Sequence, residues 1–275
     1  MTALANDVVA LGVRIDRIDL DTALARFDEL LRRPGCARVA FVNAHSVNLS
    51  CSDDDYRAAL RRADLVLNDG AGVALLGKAV GAPFLANLNG TDLLPRVLHR
   101  LGEQHTVFLY GGRPGVAERA ALALRRDHPH LRVVGHLDGY GRSDAEVVDA
   151  VRRSGARVLL VALGNPRQEL WIDRHGDATG VAVAVSVGAF LDFAAGQVPR
   201  APTVLRTLRL EWVFRLLREP RRLARRYVIG VPVFLARIAG LWWTGVAAER
   251  AAPDASRRPV VTTYEYPPFS AAGVW

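Results

Sequence analysis

The sequence predicts an α/β protein, in which a doubly wound, mostly parallel sheet precedes a basic helical appendage. Short β-branched runs alternate with amphipathic segments, which is typical of repeated βα units. The runs are continuously apolar rather than alternating, as expected for strands that are buried on both faces. Residues 200–275 hold 13 arginines and 5 acidic residues, so the whole formal charge of +8 lies there.

The predicted strands are apolar runs, separated by helical segments with one apolar face. The strand runs are Val39–Val42, Leu65–Leu67, Val107–Tyr110, Leu131–Val134, Val158–Leu163 and Val181–Val187. The helical segments include Ala23–Arg33, Tyr56–Ala63, Val116–Arg126 and Ala145–Arg153. This order predicts an open, Rossmann-like sheet.

Glycine, asparagine and aspartate follow nearly every predicted strand. In open α/β sheets, ligands bind outside the carboxyl ends of the strands, so these residues mark the candidate site. Strand-to-helix turns need such residues anyway, and this explains about half of them. It does not explain a carboxylate at the same edge as arginines and amides. The residues are Asn43, Asn68-Asp69-Gly70, Gly111-Gly112, Gly135-His136, Gly164-Asn165 and Gly188.

Several kinds of site are disfavoured by their missing motifs. The chain has no GxxxxGK[ST] and no GxGxxG after its first strand, which argues against ATPases and ordinary NAD enzymes. Gly111 and Gly112 follow a strand and precede a helix, so they indicate either a phosphate loop or a tight turn. The run Asp53–Asp55 is interpreted as a helix cap rather than a metal motif. Cys36 and Cys51 lack partners at ligand spacing and are interpreted as buried thiols, so neither a metal nor a cofactor is predicted.

The appendage has two parts, a basic helical face and an apolar stretch. Arginines at spacings of three and four share one helix face. The stretch Tyr227–Val246 is apolar but contains Gly230, Pro232 and Arg237, which favours docking at a membrane interface over spanning it. We therefore divide the chain into an α/β ligand-binding domain (1–199), an arginine-rich helical appendage that docks on a membrane (200–248) and a flexible tail (249–275). The N-terminus lacks the pattern of a signal peptide, so we expect a cytoplasmic protein, peripheral on the inner face of the cell membrane.

A set of motifs along the chain resembles the WecG/TagA/CpsF family of bacterial glycosyltransferases, from about residue 8 to about residue 238. The specificity lies in the set and its order, since no single motif would suffice. The motifs are Phe41-Val42-Asn43-Ala44-His45, Asn68-Asp69-Gly70-Ala71-Gly72, Asn87-Leu88-Asn89-Gly90-Thr91-Asp92, Leu163-Gly164-Asn165-Pro166-Arg167-Gln168-Glu169, Val187-Gly188-Ala189-Phe190-Leu191-Asp192, Arg200-Ala201-Pro202, Glu211-Trp212 and Glu219-Pro220-Arg221-Arg222.

This resemblance implies an inverting, metal-independent transfer of a hexose or N-acetylhexosamine from a UDP-sugar. The implied acceptor is a polyprenyl-diphosphate-linked sugar at an anionic membrane surface, in the synthesis of cell-surface polysaccharide or teichoic-acid-like polymers. The family commonly has proline where this chain has Asn68, so the donor and the acceptor of the teichoic-acid enzymes are not transferable. A homo-oligomer remains open.

The resemblance also implies roles for individual residues. Asp69 matches the proposed catalytic base, and a carboxylate at a strand end suits that task; its alternative is a helix cap. Asn43 resembles a substrate-positioning residue, and His45 is either a second base or a structural turn residue. The remaining candidates fall into two groups. Those for the nucleotide-sugar are Gly111, Gly112, Tyr140, Gln168, Glu169 and Asp192, and those for the acceptor or its diphosphate are Asn87, Asn89, Arg215, Arg218, Arg221, Arg222 and Arg225.

Two other classes of protein compete with the enzyme. A basic helix beside aromatic residues also suits a nucleic-acid-binding protein. Trp212 and Trp243 lie among aliphatic residues, however, and this favours a bilayer, so no nucleic-acid partner is expected. The other competitor is a non-catalytic sugar-nucleotide-binding protein or an epimerase on the same fold; an epimerase would usually require a hydride cofactor site, which the sequence lacks.

Overall fold

A computed structural model describes residues 7–198, 202, 211–218, 220–243 and 249–250. The described strands are β1 (Val8–Ala10), β2 (Val13–Ile15), β3 (Ala37–Val42), β4 (Leu65–Asn68), β5 (Thr106–Gly111), β6 (Arg132–Leu137), β7 (Val158–Ala162), β8 (Val183–Ser186) and β9 (Glu249–Arg250). Six parallel strands form the central sheet, in the order β4-β3-β8-β7-β5-β6, and all six were predicted. A smaller antiparallel sheet has the order β2-β1-β9.

Helices connect the strands of the central sheet and continue beyond it. The helices are α1 (Leu20–Leu30), α2 (Ala44–Ser50), α3 (Asp54–Arg62), α4 (Ala71–Ala79), α5 (Gly90–Arg100), α6 (Val116–Asp127), α7 (Asp144–Ser154), α8 (Arg167–Thr179), α9 (Phe190–Ala194), α10 (Glu211–Arg218), α11 (Pro220–Ala224) and α12 (Gly230–Trp243). A π-helical turn, Arg225–Ile229, joins α11 to α12.

Alternate residues of each central strand pack against opposite layers of helices. Val39 and Leu67 face the layer that contains α1, α5, α6 and α9. Ala40 and Val66 face α2, α3, α4 and α12 on the other side. The same face of the sheet continues under α7 and α8. Burial on both faces explains why the strands are continuous apolar runs, and it confirms the predicted α/β fold with a parallel sheet.

The hairpin of β1 and β2 was not predicted, because three-residue strands are too short to show a period. Leu11 and Gly12 form its turn, both with positive φ (51° and 77°). The hairpin joins the main sheet through Asp16, whose backbone N–H donates to Val66 O at 2.8 Å and whose carboxylate accepts from Val66 N at 2.7 Å.

Helix α12, which belongs to the predicted appendage, packs against helix α2 on one side of the central sheet. Phe234, Ile238 and Leu241 follow each other at helical spacing along α12 and are buried in one cluster with Val47 of α2. Arg237, which the sequence suggested as an interruption of an apolar stretch, points towards α2. Its Nη1 donates to Asn48 Oδ1 at 2.6 Å and to Asn48 O at 3.1 Å.

The predicted boundary near residue 199 and, apart from residue 202, the segment up to residue 210 lie outside the described residues. The same holds for 251–275 of the predicted tail, whereas Glu249–Arg250 pairs with β1. Within the described ranges, no helix combines the length and the apolar character that crossing a membrane requires.

Candidate active site

Two of the predicted residues lie side by side at the carboxyl edge of the sheet. Val42 of β3 pairs with Asn68 of β4, so the residues that follow them, Asn43 and Asp69, leave neighbouring strands at the same level. The backbone N–H of Asp69 donates to Val42 O at 2.8 Å, which extends the strand pairing by one residue. Asp69 is half-buried at this edge. The sheet therefore holds a carboxylate and a carboxamide next to each other on rigid elements.

The turn at Asp69 is held by the loop that precedes α5. Gly70 has φ +91°, and its N–H donates to Asn87 Oδ1 at 2.9 Å. Asn68 donates through Nδ2 to Ala86 O at 2.8 Å. Asn68 thus ties down the loop from the position where the family commonly has proline. In the structure the Asn87 side chain shapes the turn at Gly70, and its predicted contact with the acceptor stays a prediction.

Two further asparagines, Asn43 and Asn89, act as helix caps. Asn89 caps α5: its Oδ1 accepts from Asp92 N at 3.0 Å. Asn43 caps α2, because its Oδ1 accepts from His45 N at 3.0 Å and from Ser46 N at 3.2 Å. The amide nitrogen of Asn43 has no hydrogen-bond partner among the described residues. Capping fixes the Asn43 side chain and leaves its NH₂ group as the donor that a substrate can use.

The appendage reaches the same edge through a close approach of three helices. Gly72 is in the first turn of α4, and a Cβ at this position would lie 2.8 Å from Ala44 Cβ and 3.4 Å from Phe234 Cε1. Ala44 is the first residue of α2, so α12 packs where α2 and α4 begin. Only glycine leaves room for this contact. The helix starts that carry Asn43 and Asp69 are therefore buttressed by the appendage.

One arginine of the π-helical turn acts electrostatically on this edge. Burial and the positive charge of Arg226 lower the pKa of His45 to about 4. Burial raises the pKa of Tyr56, and Arg226 partly opposes that rise. From the sequence, Arg225 was predicted to bind the acceptor or its diphosphate, whereas Arg226 was not.

Among the other arginines predicted to bind the acceptor, Arg218 is the one whose side chain the structure describes. Arg218 is exposed, with its guanidinium carbon 5.5 Å from the centre of the Phe214 ring. The side chains of Arg215, Arg221, Arg222 and Arg225 lie outside the described atoms.

A second part of the edge lies between β5 and β7. The chain leaves β5 towards β6 on one side and leaves β7 towards β8 on the other, which makes this the switch point of the sheet. Gly112 N donates to Ala162 O at 2.9 Å, and a Cβ on Gly111 would lie 2.4 Å from the same oxygen. Gly111 and Gly112 have φ of +125° and +76°. Glycine is therefore required at both positions, and the predicted strand–glycine–helix order is confirmed.

The helices α1 to α9 differ in how their first turns are capped. The helices α1, α2, α3, α5 and α7 have side-chain caps. The helices α4, α6, α8 and α9 have none; they begin after Gly70, Gly115, Pro166 and Ala189. These four follow β4, β5, β7 and β8 at the carboxyl edge. Uncapped helix starts offer backbone N–H groups and a partial positive charge to an anion.

Gln168 lies beneath the edge rather than on it. It is 2% exposed, and its Oε1 accepts from Gly164 N at 3.2 Å and from Gly188 N at 3.1 Å. Its Nε2 donates to Glu169 Oε1 at 2.8 Å. Gln168 therefore joins the loops that follow β7 and β8. Its predicted contact with a nucleotide stays a prediction, and the structure gives it a positioning role.

Glu169 is a buried carboxylate whose environment opposes ionisation. Its Oε1 accepts from Asn165 Nδ2 at 2.7 Å, while Oε2 has no hydrogen-bond partner among the described atoms. Burial raises its pKa to about 7. Asn165 Nδ2 also lies 3.3 Å from Tyr56 Oη, so this network runs from α8 to α3. The contact of Asn165 with Tyr56 was not predicted, because the two residues are 109 positions apart in sequence.

The raised pKa of Glu169 leads to a prediction about stability and pH. The folded state holds the proton more tightly than the unfolded state, so stability falls as pH rises from about 4.5 through about 7. Glu169→Gln keeps an acceptor for Asn165 but cannot ionise. Between pH 5 and pH 8, we expect the wild type to lose on the order of 3 kcal/mol relative to this variant, measured by urea unfolding. Parallel pH profiles for the two proteins would contradict the prediction.

The remaining predicted nucleotide residues lie at the periphery of this edge. Tyr140 follows β6 and is 58% exposed, in a turn where its N–H donates to Asp138 Oδ1 at 3.0 Å. Asp192 is half-buried in α9, just after β8. Arg113 and Arg167 are exposed at the starts of the segments that follow β5 and β7. Neither arginine was predicted as a site residue, although each follows a predicted strand and could have been identified by that position.

The interpretation of the Asp53–Asp55 run as a helix cap is confirmed, and that of the cysteines as buried thiols is confirmed for Cys36. Asp53 caps α3, since its side chain accepts from Tyr56 N at 2.9 Å. Cys36 is a free, buried thiol, and burial raises its pKa to about 11. Cys51 is a free, half-buried thiol whose pKa is also raised by burial.

A parallel sheet, uncapped helix starts at its switch point and a carboxylate three strands away are features of α/β enzymes that handle an anionic ligand. The family model described as "Glycosyl transferase WecG/TagA/CpsF family" matches residues 8–247. The chain therefore belongs to this family and is a glycosyltransferase, which confirms the resemblance read from its motifs.

Three relatives carry the name N-acetylglucosaminyldiphosphoundecaprenol N-acetyl-beta-D-mannosaminyltransferase. The chain is 34% identical to the protein of Bacillus spizizenii over 66% of this chain and 71% of the relative. It is 27% identical to that of Bacillus subtilis over 72% and 77%. It is 28% identical to that of Staphylococcus aureus over 73% and 79%.

Proposed function

We propose that the chain transfers an N-acetylhexosamine from a UDP-sugar to a polyprenyl-diphosphate-linked N-acetylglucosamine, with inversion and without a metal ion. The relatives' name supports the class of sugar and the acceptor. The observation that carries the mechanism is the placement of Asp69, which lies beside Asn43 and directly before the uncapped start of α4. The synthesis of a cell-surface polymer follows from this acceptor.

In the proposed reaction, Asp69 accepts the proton of the acceptor hydroxyl while that oxygen attacks the anomeric carbon. The bond from this carbon to the UDP oxygen breaks, and UDP leaves with the electron pair. One displacement inverts the configuration. A positioned base typically contributes about 10²- to 10⁴-fold to such a step. Asn43 has its NH₂ group available to orient the sugar.

His45 is the weaker candidate for the base. Protonating it would add a second positive charge near Arg226 in a half-buried place, and both influences lower its pKa to about 4. The electrostatics therefore count against His45 as the base, and Asp69 is the remaining candidate.

The leaving diphosphate can be stabilised by the protein alone. The uncapped starts of α6 and α8 flank the switch point, and each supplies N–H groups and a partial positive charge. Arg113 and Arg167 are exposed beside them. Guanidinium groups bind phosphate oxygens in pairs of hydrogen bonds. These groups take the place of a metal ion in our proposal.

We also propose that the appendage binds the anionic inner face of the cell membrane from the cytoplasm. The outward face of α12 and the π-helical turn is apolar: Val228, Val233 and Leu235 are 67%, 39% and 45% exposed. Arg237 is the single charged residue of 227–243, and it points towards α2. The described arginines Arg218 and Arg226 precede this face in sequence. An apolar face beside cations is typical of helices that lie in a membrane interface.

This surface gives a second prediction. Val228→Asp combined with Val233→Asp should weaken binding to phosphatidylglycerol-containing vesicles roughly tenfold or more, because two apolar contacts are lost and two like charges meet the lipid. Co-sedimentation measures the effect. Leu122→Asp is the matched control, since Leu122 is 59% exposed on α6. Equal binding by the double variant and the control would show that this face does not bind the membrane.

The function itself is tested by acceptor-dependent UDP release. The full chain is mixed with a polyprenyl-diphosphate-N-acetylglucosamine mimic and, one at a time, with UDP-N-acetylhexosamines and UDP-hexoses. We expect release only with the acceptor present, a preference for an N-acetylated donor, an inverted product by NMR and an unchanged rate with EDTA. A hexose preference would correct the donor, while nucleotide binding without transfer would favour the sugar-nucleotide-binding alternative. Binding of oligonucleotides but not of vesicles would favour the nucleic-acid alternative.

A further inference from the structure

Three histidines converge far from the carboxyl edge of the sheet. His99 lies in the last turn of α5, His128 is the C-cap residue of α6, and His130 precedes β6. Each can offer one ring nitrogen such that all three nitrogens lie within 4.8 Å of one another. The cluster joins two helix ends to the start of a strand, at the amino edge of the sheet. It is therefore separate from the catalytic edge.

Two ring nitrogens in this cluster lack the partners that buried polar atoms normally have. Nδ1 of His128 and Nε2 of His130 are inaccessible to solvent and make no hydrogen bond among the described atoms. A buried polar atom without a partner costs about 1–3 kcal/mol. A metal ion would supply a partner for both. The ring centres of His99 and His130 are 5.5 Å apart with the rings nearly perpendicular, and His99 is the exposed member of the cluster.

We propose that His99, His128 and His130 bind one divalent transition-metal ion of the zinc type. Imidazole nitrogen suits Zn²⁺, Cu²⁺ and Ni²⁺, whereas Mg²⁺ and Ca²⁺ require oxygen ligands. A tetrahedral Zn²⁺ with Zn–N bonds of 2.0–2.1 Å needs nitrogens about 3.3 Å apart. His99 is exposed, so rotation of its side chain can close the remaining distance. Water completes the fourth position.

The bound ion acts as a clip between α5, α6 and β6. Pro129 restricts the backbone between two of the ligands, so the pair at 128 and 130 is already close in the metal-free protein. An ion that binds only the folded chain stabilises it in proportion to the logarithm of its free concentration. Because the site lies at the opposite edge from Asp69, its loss should alter thermal stability and leave the transfer reaction intact. No metal was predicted from the sequence, because the cysteine spacing and the acidic run match no metal motif and the three histidines do not form a motif of their own.

Metal binding is measured on the full chain, with any affinity tag removed and the protein stripped by a chelator. We expect calorimetry to give one Zn²⁺ per chain, with a dissociation constant in the micromolar range or tighter. Co²⁺ should give the visible spectrum of a tetrahedral site, and Tm should rise with Zn²⁺ concentration.

Variants decide whether these histidines hold the ion. His128→Asn combined with His130→Asn should abolish binding, and His99→Ala, at an exposed position, should weaken it at least tenfold while keeping the fold. His136→Asn, an exposed histidine elsewhere on β6, should bind like the wild type. Absence of binding to the wild type, or undiminished binding to His99→Ala and to the double variant, would overturn the proposal.

Discussion

Asp69→Asn is expected to lower turnover by about 10²- to 10⁴-fold while leaving UDP affinity within a few-fold of the wild type. The expected loss is the usual contribution of a positioned general base. Asparagine keeps the shape of the side chain, and the bond from the backbone N–H of residue 69 to Val42 O does not depend on the side chain. Acceptor-dependent UDP release measures turnover, and calorimetry measures UDP binding.

The matched control for Asp69→Asn is Asp54→Asn. Asp54 carries an 85% exposed carboxylate in α3, paired with Arg57, away from the carboxyl edge. We expect this variant to turn over like the wild type. Full activity in Asp69→Asn would end the assignment of the base. Equal losses of turnover and UDP affinity would move Asp69 into the donor pocket.

The sheet was predictable because burial on both faces leaves a simple trace in the sequence. Runs such as Val158–Leu163 are apolar throughout, and the glycines after them mark where each strand stops. Helix α2 was not predicted, since its residues Ala44–Ser50 are too few for a helical period to stand out. The hairpin of β1 and β2 escaped for the same reason.

The edge of the sheet could be assigned from sequence, but the depth of each side chain below it could not. Gln168 and Glu169 follow a strand, as a ligand-binding pair would, yet their burial depends on the neighbouring loop at Gly188. Arg237 shows the same limit. Within its own segment it is a lone charge among apolar residues, and its partner Asn48 is 189 positions away in sequence. Contacts at that separation leave no local pattern.

Arg226→Ala is expected to have a large effect in a different part of the reaction. Arg226 brings positive charge from the appendage to His45, which lies two residues after Asn43. We propose that this charge also stabilises the negative charge that develops during transfer. Removing one preorganised group that stabilises developing charge typically costs about 10²- to 10³-fold in rate, and we expect a loss of this size in kcat/KM. Arg226→Lys should recover part of it, since the charge remains but the paired hydrogen bonds do not.

An electrostatic readout separates a direct role of Arg226 from damage to the fold. The positive charge of Arg226 is the second cause of the low pKa of His45, after burial. In Arg226→Ala the pKa of His45 should therefore rise from about 4 but stay below its ordinary value of 6.5, because burial persists. An NMR titration of the imidazole measures it. Arg153→Ala, an exposed arginine of α7, should change neither the rate nor this pKa. If Arg226→Ala lost activity with an unmoved His45 pKa, Arg226 would act at a distance from the edge, through acceptor or membrane binding, and the appendage would not be part of the active site.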